Sequence, residues 1–180
     1  MRSRRLSAPG GAATRPSSDR LRETLFNVLA PRMEGCRFLD LYAGSGAVGI
    51  DALSRGAASA VFVERAPPAV QVLRENLKAL GLVARVEERS AASALGRLLK
   101  PGAGATFDVV FLDPPYEAEA EYVQTMGLLG GGDGVGLLEE GGVVVAEHAS
   151  RSPLAEQFGR LGMVRRLRQG DATLSFYEVG

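Results

Sequence analysis

From Arg37 to Val179, short apolar runs alternate with helix-patterned segments, and that alternation constrains the fold more than any other feature of this chain. Most of the runs are near-continuous blocks of Val, Leu, Phe and Ala, the pattern of strands buried on both faces. The expected strands are Arg37–Tyr42, Ala60–Glu64, Val83–Glu87, Phe107–Leu112, Gly142–Glu147, Met163–Arg168 and Thr173–Val179. Helices are expected over Ala47–Ser54, from Pro67 or Pro68 to a stop at Gly81, and over Ser93–Leu99, Glu117–Leu129 and Pro153–Arg160. The second of these carries Val70, Leu73, Leu77 and Leu80 on one face. A further helix precedes the first strand: Ser17 or Ser18 caps it, Leu21, Leu25 and Leu29 fall at helical spacing beside Phe26, and Pro31 stops it. Gly130 to Gly134 reads as a loop, and Gly170-Asp171 as a two-residue hairpin turn.

Strand–helix alternation predicts an α/β fold: one domain with a doubly wound, mostly parallel sheet, to which the closing hairpin adds an antiparallel strand. The 180 residues suffice for one core. No apolar run approaches the roughly 20 residues that cross a bilayer. No apolar stretch backs the basic N-terminus, so no signal peptide is read and a cytoplasmic location is expected. Cys36 has no second cysteine to pair with and reads as a buried thiol. A single histidine, His148, argues against a histidine-based metal site. With no partner visible in the sequence, it reads as a surface or edge residue rather than a base.

The segment Leu39-Asp40-Leu41-Tyr42-Ala43-Gly44-Ser45-Gly46-Ala47-Val48-Gly49 joins the first strand to its helix. Its glycines allow a tight turn and close approach to a ligand. Glu64, twenty positions after Gly44, ends the second strand, where a carboxylate can accept hydrogen bonds from two ribose hydroxyls. This pattern suits an adenosine-type cofactor and is shared by NAD and S-adenosylmethionine sites. Asp40 favours the second: it would attract an amino or sulfonium cation and repel a pyrophosphate.

Asp113-Pro114-Pro115-Tyr116 follows the fourth strand. Two prolines end the strand and stiffen the backbone. Asp113 and the Pro114 carbonyl could accept the N–H groups of an aromatic amine, and Tyr116 could stack on its ring. Asp-Pro-Pro is also ordinary turn chemistry, so the functional reading leans on the glycine motif upstream.

In combination these motifs resemble the class I S-adenosylmethionine-dependent methyltransferases that act on exocyclic amines of nucleobases. More closely, Arg15-Pro16-Ser17-Ser18-Asp19-Arg20-Leu21-Arg22-Glu23-Thr24-Leu25-Phe26-Asn27, Leu39 to Gly49, Ser54-Arg55-Gly56-Ala57 and Phe107 to Tyr116 resemble the RsmD family, which methylates N2 of a guanine in 16S ribosomal RNA. The resemblance implies a Rossmann-like methyltransferase domain over residues 15–180. Asp40, Tyr42, Ala43, Gly44, Ser45 and Gly46 would line the methionine part of S-adenosyl-L-methionine. Glu64 would hold the ribose, Arg65 would belong to the cofactor site beside it, and Ser90 and Ala91 would lie at the adenine. Asp113, Pro114, Pro115 and Tyr116 would form the amine site. Ser90 stands where the family usually has an acidic residue, and the N-terminal arm is shorter than usual.

Residues 1–14 are basic, rich in Gly, Ala and Pro, and read as a mobile or loosely docked arm. Arg2, Arg4, Arg5, Arg15 and Arg20 belong to an arginine excess before Arg37 that suits phosphate contact and equally suits a GC-rich genome. The partners expected are 16S rRNA or an assembling small ribosomal subunit, bound by a monomer without metal or membrane. Three alternatives remain: a DNA or other RNA amino-methyltransferase, a nicotinamide-dependent oxidoreductase, and a non-catalytic nucleotide- or RNA-binding module.

Overall fold

The computed structural model describes residues 16–115 and 117–180. The arm, with Arg2, Arg4, Arg5 and Arg15, lies outside the described residues, and so does Tyr116. The elements run α1 (Pro16–Met33), β1 (Arg37–Leu41), α2 (Ala47–Ser54), β2 (Ser59–Val63), α3 (Pro67–Ala79), β3 (Arg85–Glu87), α4 (Ala91–Leu98), β4 (Phe107–Leu112), α5 (Glu119–Gly130), β5 (Leu138–Ala149), β6 (Gln157–Phe158), β7 (Leu161–Gln169) and β8 (Ala172–Val179).

One sheet carries all the described strands in the order β3-β2-β1-β4-β5-β8-β7-β6. The first five are parallel, with Leu39 beside Val61 on one side and Val110 on the other. β8 pairs antiparallel with both β5 and β7, as the hairpin predicts. Gln169 faces Ala172 across a two-residue turn, and Gly170 takes a left-handed φ of 62° there.

Strand residues alternate between two apolar layers. Phe38, Phe62, Val109, Phe111, Val145 and Phe176 face one layer, with Leu25 and Leu29 of α1, Ile50 of α2 and Leu73 of α3. Leu39, Leu41, Val110, Leu112, Val144 and Tyr177 face the other, with Leu95 of α4 and Met126 of α5. Burial on both faces explains why β1 and β4 read as near-continuous apolar runs, interrupted only by Asp40 and Asp108 after the opening Arg37. Cys36 is buried, and desolvation, with the Asp108 charge second, pushes its thiol up to about 11.

Two expectations are corrected. Pro31 lies inside α1 rather than ending it. It falls in the last turn, where its missing N–H removes one helical bond, and the burial of Met33 holds the final residues on the core. Pro153–Arg160 is not a helix. The segment is extended, and Gln157 and Phe158 pair with Gly162 and Leu161 to form β6. Gly159 turns it with φ 57°, and Phe158 packs edge-on against Tyr177 at 5.8 Å. Eight residues with a glycine near the end make a marginal helix, and tertiary pairing overrides so weak a local preference.

Candidate active site

The carboxyl ends of β1, β2, β4 and β5 meet in one cleft, where the strand order reverses between β1 and β4. Its larger part, about 520 Å³, is lined by Tyr42, Glu64, Arg65, Ser90, Ala91, Asp113, Pro114, Pro115, Glu121 and Glu147. A smaller part, about 270 Å³, lies under the start of α1 and is lined by Ser18, Arg22, Asp40, Ala43, Gly44 and Ser45. Both parts touch Tyr42, Asp113 and Glu147, which makes them halves of one cleft. The two motifs read from the sequence therefore come together. Arg20 is exposed and lines neither half.

The glycine turn is fixed from several directions. Tyr42 follows β1 with a left-handed φ of 61°, costly for a residue with a Cβ. Its ring reaches α5, where the hydroxyl donates to Glu121 Oε2 at 2.8 Å and lies 2.7 Å from Thr125 Oγ1. Asn76 of α3 donates to the Ser45 carbonyl at 3.0 Å. Gly44 has φ 56° and open space where a Cβ would stand, so its backbone faces the cleft. Gly46 and Gly49 serve packing instead. A Cβ at Gly46 would lie 2.3 Å from Leu73, and one at Gly49 2.4 Å from Phe62.

The carboxylates differ in their surroundings. Asp40 is buried and its Oδ2 accepts the Gly49 N–H at 3.0 Å. Burial raises its pKa from 3.8 to about 7; the Gly49 bond opposes this and the Glu64 charge adds to it. Glu64 accepts Gly44 N–H on Oε2 and Ala66 N–H on Oε1, both at 2.9 Å. Asp113 accepts no hydrogen bond from the described residues. Burial, then the charges of Glu147 and Asp40, push its pKa well above the carboxylate range. Arg65 lies 3.5 Å from Glu121, which leaves the cleft acidic on balance. An acidic, desolvated cleft favours a cationic ligand.

Pro114 is buried and Pro115 exposed. Behind Pro114 stands Tyr122 of α5, whose hydroxyl lies 2.7 Å from the Glu147 carbonyl and 3.2 Å from that of Pro114. Ser90 caps α4 by accepting the Ser93 N–H at 3.2 Å, and its own O–H remains a donor.

His148 is buried, contrary to the surface position expected. Nδ1 faces the Ala149 and Ser152 carbonyls at 3.0 and 3.1 Å, and Nε2 faces Ser175 Oγ at 2.8 Å. Two carbonyls at Nδ1 put the proton there, and Nε2 accepts from Ser175. Desolvation lowers the pKa, so the ring stays neutral and structural.

Sequence reasoning assigned no role to Glu147, Glu121, Tyr122 or Asn76. A carboxylate ending the apolar run Val143–Ala146 was a readable signal for Glu147. The other three reach the cleft from helix faces, which only the packed structure reveals. Among the described residues, no cluster of His, Cys, Asp and Glu could hold a metal ion.

A family model described as "Conserved hypothetical protein 95" matches residues 1–178. "Putative rRNA methyltransferase YlbH" of Bacillus subtilis (strain 168) is 40% identical over 177 residues, 97% of this chain and 93% of that one. Ribosomal RNA small subunit methyltransferase D of Escherichia coli (strain K12) is 43% identical over 116 residues, 64% of this chain and 56% of that protein. Hypothetical protein TTHA0928 of Thermus thermophilus superposes with a TM-score of 0.80 at 37% identity, covering 99% of this chain and 95% of that one. With a family match over nearly its full length and the two motifs joined in one cleft, the chain belongs to the RsmD family.

Proposed function

We propose that this protein transfers a methyl group from S-adenosylmethionine to the exocyclic N2 amine of a guanine in small-subunit (16S) rRNA. The observation that carries the reading is Asp113, a half-buried carboxyl with no hydrogen-bond donor among the described residues, beside the Pro114 carbonyl in an acidic cleft.

The cofactor would supply a methyl already activated on a positively charged sulfur, and the cleft fits that charge. Asp113 and Glu147 line both halves, and Asp40 lines the smaller one. Glu64 follows β2 with each oxygen holding one backbone N–H; a carboxylate oxygen has a second acceptor site, which would take the ribose hydroxyls. The Ser90 hydroxyl and the Ala91 backbone would hold the adenine in place of an acidic side chain.

A purine amine is a poor nucleophile because its lone pair is delocalised into the ring. Asp113 and the Pro114 carbonyl can accept its two N–H groups and favour the pyramidal geometry that frees the lone pair. Tyr122 has one hydroxyl proton, and the shorter contact directs it to the Glu147 carbonyl, which leaves Pro114 with acceptor capacity. As the methyl arrives the nitrogen releases one proton, and Asp113 is placed to take it. Tyr116 would stack on the base once it leaves its helix. The protein would act as a cytoplasmic monomer on naked rRNA or an assembling subunit; no described helix is long and apolar enough to cross a membrane.

The test is incubation of the protein and labelled S-adenosylmethionine with unmodified small-subunit rRNA and with small-subunit particles, followed by nucleoside mass spectrometry. N2-methylguanosine is expected. Methyl on adenine N6 or cytosine N4 would replace the substrate assignment, and no transfer to either RNA would overturn the reading.

A further inference from the structure

A second groove, about 370 Å³, lies behind the amine site between α5 and the Ser150–Phe158 segment. Tyr122 is the partition. Its ring lines this groove, while its hydroxyl touches the carbonyls of Pro114 and Glu147, which line the cleft. The α5 side offers Val123, which is 63% exposed, with Glu119 near the rim. The far side is formed by Arg151, Pro153 and Leu154.

The sheet edge beside that far wall is basic. Arg166 donates to the Leu154 carbonyl at 3.4 Å, and Arg168 to the Gly170 carbonyl at 3.3 Å. They stand two positions apart on one face of β7, roughly 6–7 Å along the strand. Both pair with residues near the start of β8, Arg166 with Ser175 and Arg168 with Thr173, which puts them towards the end of the sheet where the cleft opens.

Arg151, Arg166 and Arg168 are exposed and form no ion pair among the described residues. This is not the habit of the molecule. Arg22, Arg32, Arg37, Arg55, Arg65, Arg74, Arg85, Arg89 and Arg97 are all within ion-pair distance of a carboxylate. Arg20, Arg160 and Arg165 are exposed and outside these ion pairs too, but Arg151, Arg166 and Arg168 are the unpaired ones that gather beside one groove, which a genome rich in arginine codons does not by itself explain.

We propose that this groove and its arginines hold the RNA strand that flanks the target nucleotide: Arg151, Arg166 and Arg168 contact successive phosphates, and the apolar floor between Val123 and Leu154 takes a neighbouring base. The charge is complementary to a polyanion, and the groove starts one tyrosine ring away from the amine site. The inference rests on the RNA-methyltransferase reading for its ligand. It moves the main phosphate contacts from the N-terminal arm to the C-terminal hairpin.

The test uses the full chain with Arg151, Arg166 and Arg168 each changed to Gln, singly and together, and Arg74→Gln as a paired-arginine control. Binding to naked 16S rRNA is followed against salt, and single-turnover methylation against RNA concentration. Each phosphate left unneutralised should flatten the log–log salt slope by about 0.7–0.9, so the triple variant should lose roughly 2–3. Its KM for RNA should rise about tenfold or more, while the rate at saturating RNA and the S-adenosylmethionine affinity stay at wild-type levels. A wild-type slope and KM in the triple variant would overturn the surface, whatever the turnover. So would normal binding to naked rRNA with weakened binding to small-subunit particles, because the arginines would then be meeting ribosomal protein. If the wild type binds RNA through these arginines yet transfers no methyl, the surface stands and the activity reading falls.

Discussion

The two walls of the cleft hold their carboxylates in opposite ways. On the β1–β2 side Asp40 and Glu64 are both pinned by backbone N–H groups, from Gly49, Gly44 and Ala66. On the β4 side Asp113 is half-buried and accepts no hydrogen bond from the described residues. The pinned wall is preorganised to hold a ligand of fixed shape. The unpinned wall keeps an acceptor available for a donor that arrives with the substrate. The difference separates holding from reacting, and substitutions on either side should show it.

The largest effect belongs to the unpinned side. Asp113→Ala removes an acceptor that matters most as the amine pyramidalises, so kcat should fall by about 10²-fold or more, with little change in cofactor affinity. Single-turnover transfer from labelled cofactor measures it. Near-normal turnover would reduce Asp113-Pro114-Pro115 to a strand-ending turn.

Asp40 tests the pinned side through pH. Its folded pKa, about 7, lies above its ordinary 3.8. Its contribution to stability is therefore intact below about pH 4 and is lost as the pH rises through 7. In the ligand-free protein Asp40→Asn should stabilise at pH 8, by about 2.5 kcal/mol more than at pH 5. Urea unfolding at the two pH values checks this, and a gain independent of pH would show that Asp40 is ionised throughout.

Glu64→Ala should weaken S-adenosylmethionine binding by about 1.5–3 kcal/mol, the range for hydrogen bonds to a charged group. The same change frees the Gly44 and Ala66 amides, so part of the loss should appear as a slower on-rate. Unchanged calorimetric affinity in a folded variant would remove Glu64 from the cofactor site. The smallest effect is expected from Tyr122→Phe, which leaves the ring in place but deprives the Glu147 carbonyl of a donor. A loss of about 1 kcal/mol in folding stability is expected, with a several-fold drop in kcat. Thermal unfolding and turnover on the same preparation separate the two.

Much of the fold was legible because buried parallel strands leave a strong local record. Phe107–Leu112 and Ala47–Ser54 form as the sequence indicates. What failed depended on partners outside the segment itself. Leu154 to Phe158 carries little periodicity of its own, and pairing with Leu161–Gly162 decides its conformation. His148 looked partnerless because its partner Ser175 lies 27 residues away and meets it only across the β5–β8 ladder. In the site, Asp40, Glu64 and Asp113 could be found because each ends a strand or lies close to its end, a position the sequence displays. Glu121, Tyr122 and Asn76 point inward from helices, and which helix face lies over the cleft is settled by packing. The glycine motif was read as room for a ligand throughout, yet only Gly44 faces open space, and Gly46 and Gly49 make room for Leu73 and Phe62.

The insertion of β8 between β5 and β7 also sets an order of events during synthesis. Until residues 172–179 have emerged, β5 is an edge strand, and its row from Val143 to Ala146 is exposed to pairing with other chains. Glu147, which closes the cleft, is placed by the same ladder, opposite Leu174. A nascent chain can form β1 to β4 and the glycine turn as soon as they are made, but the cleft stays open along β5 until the final hairpin docks. Competence for chemistry therefore arrives together with protection from aggregation, both delivered by one late strand.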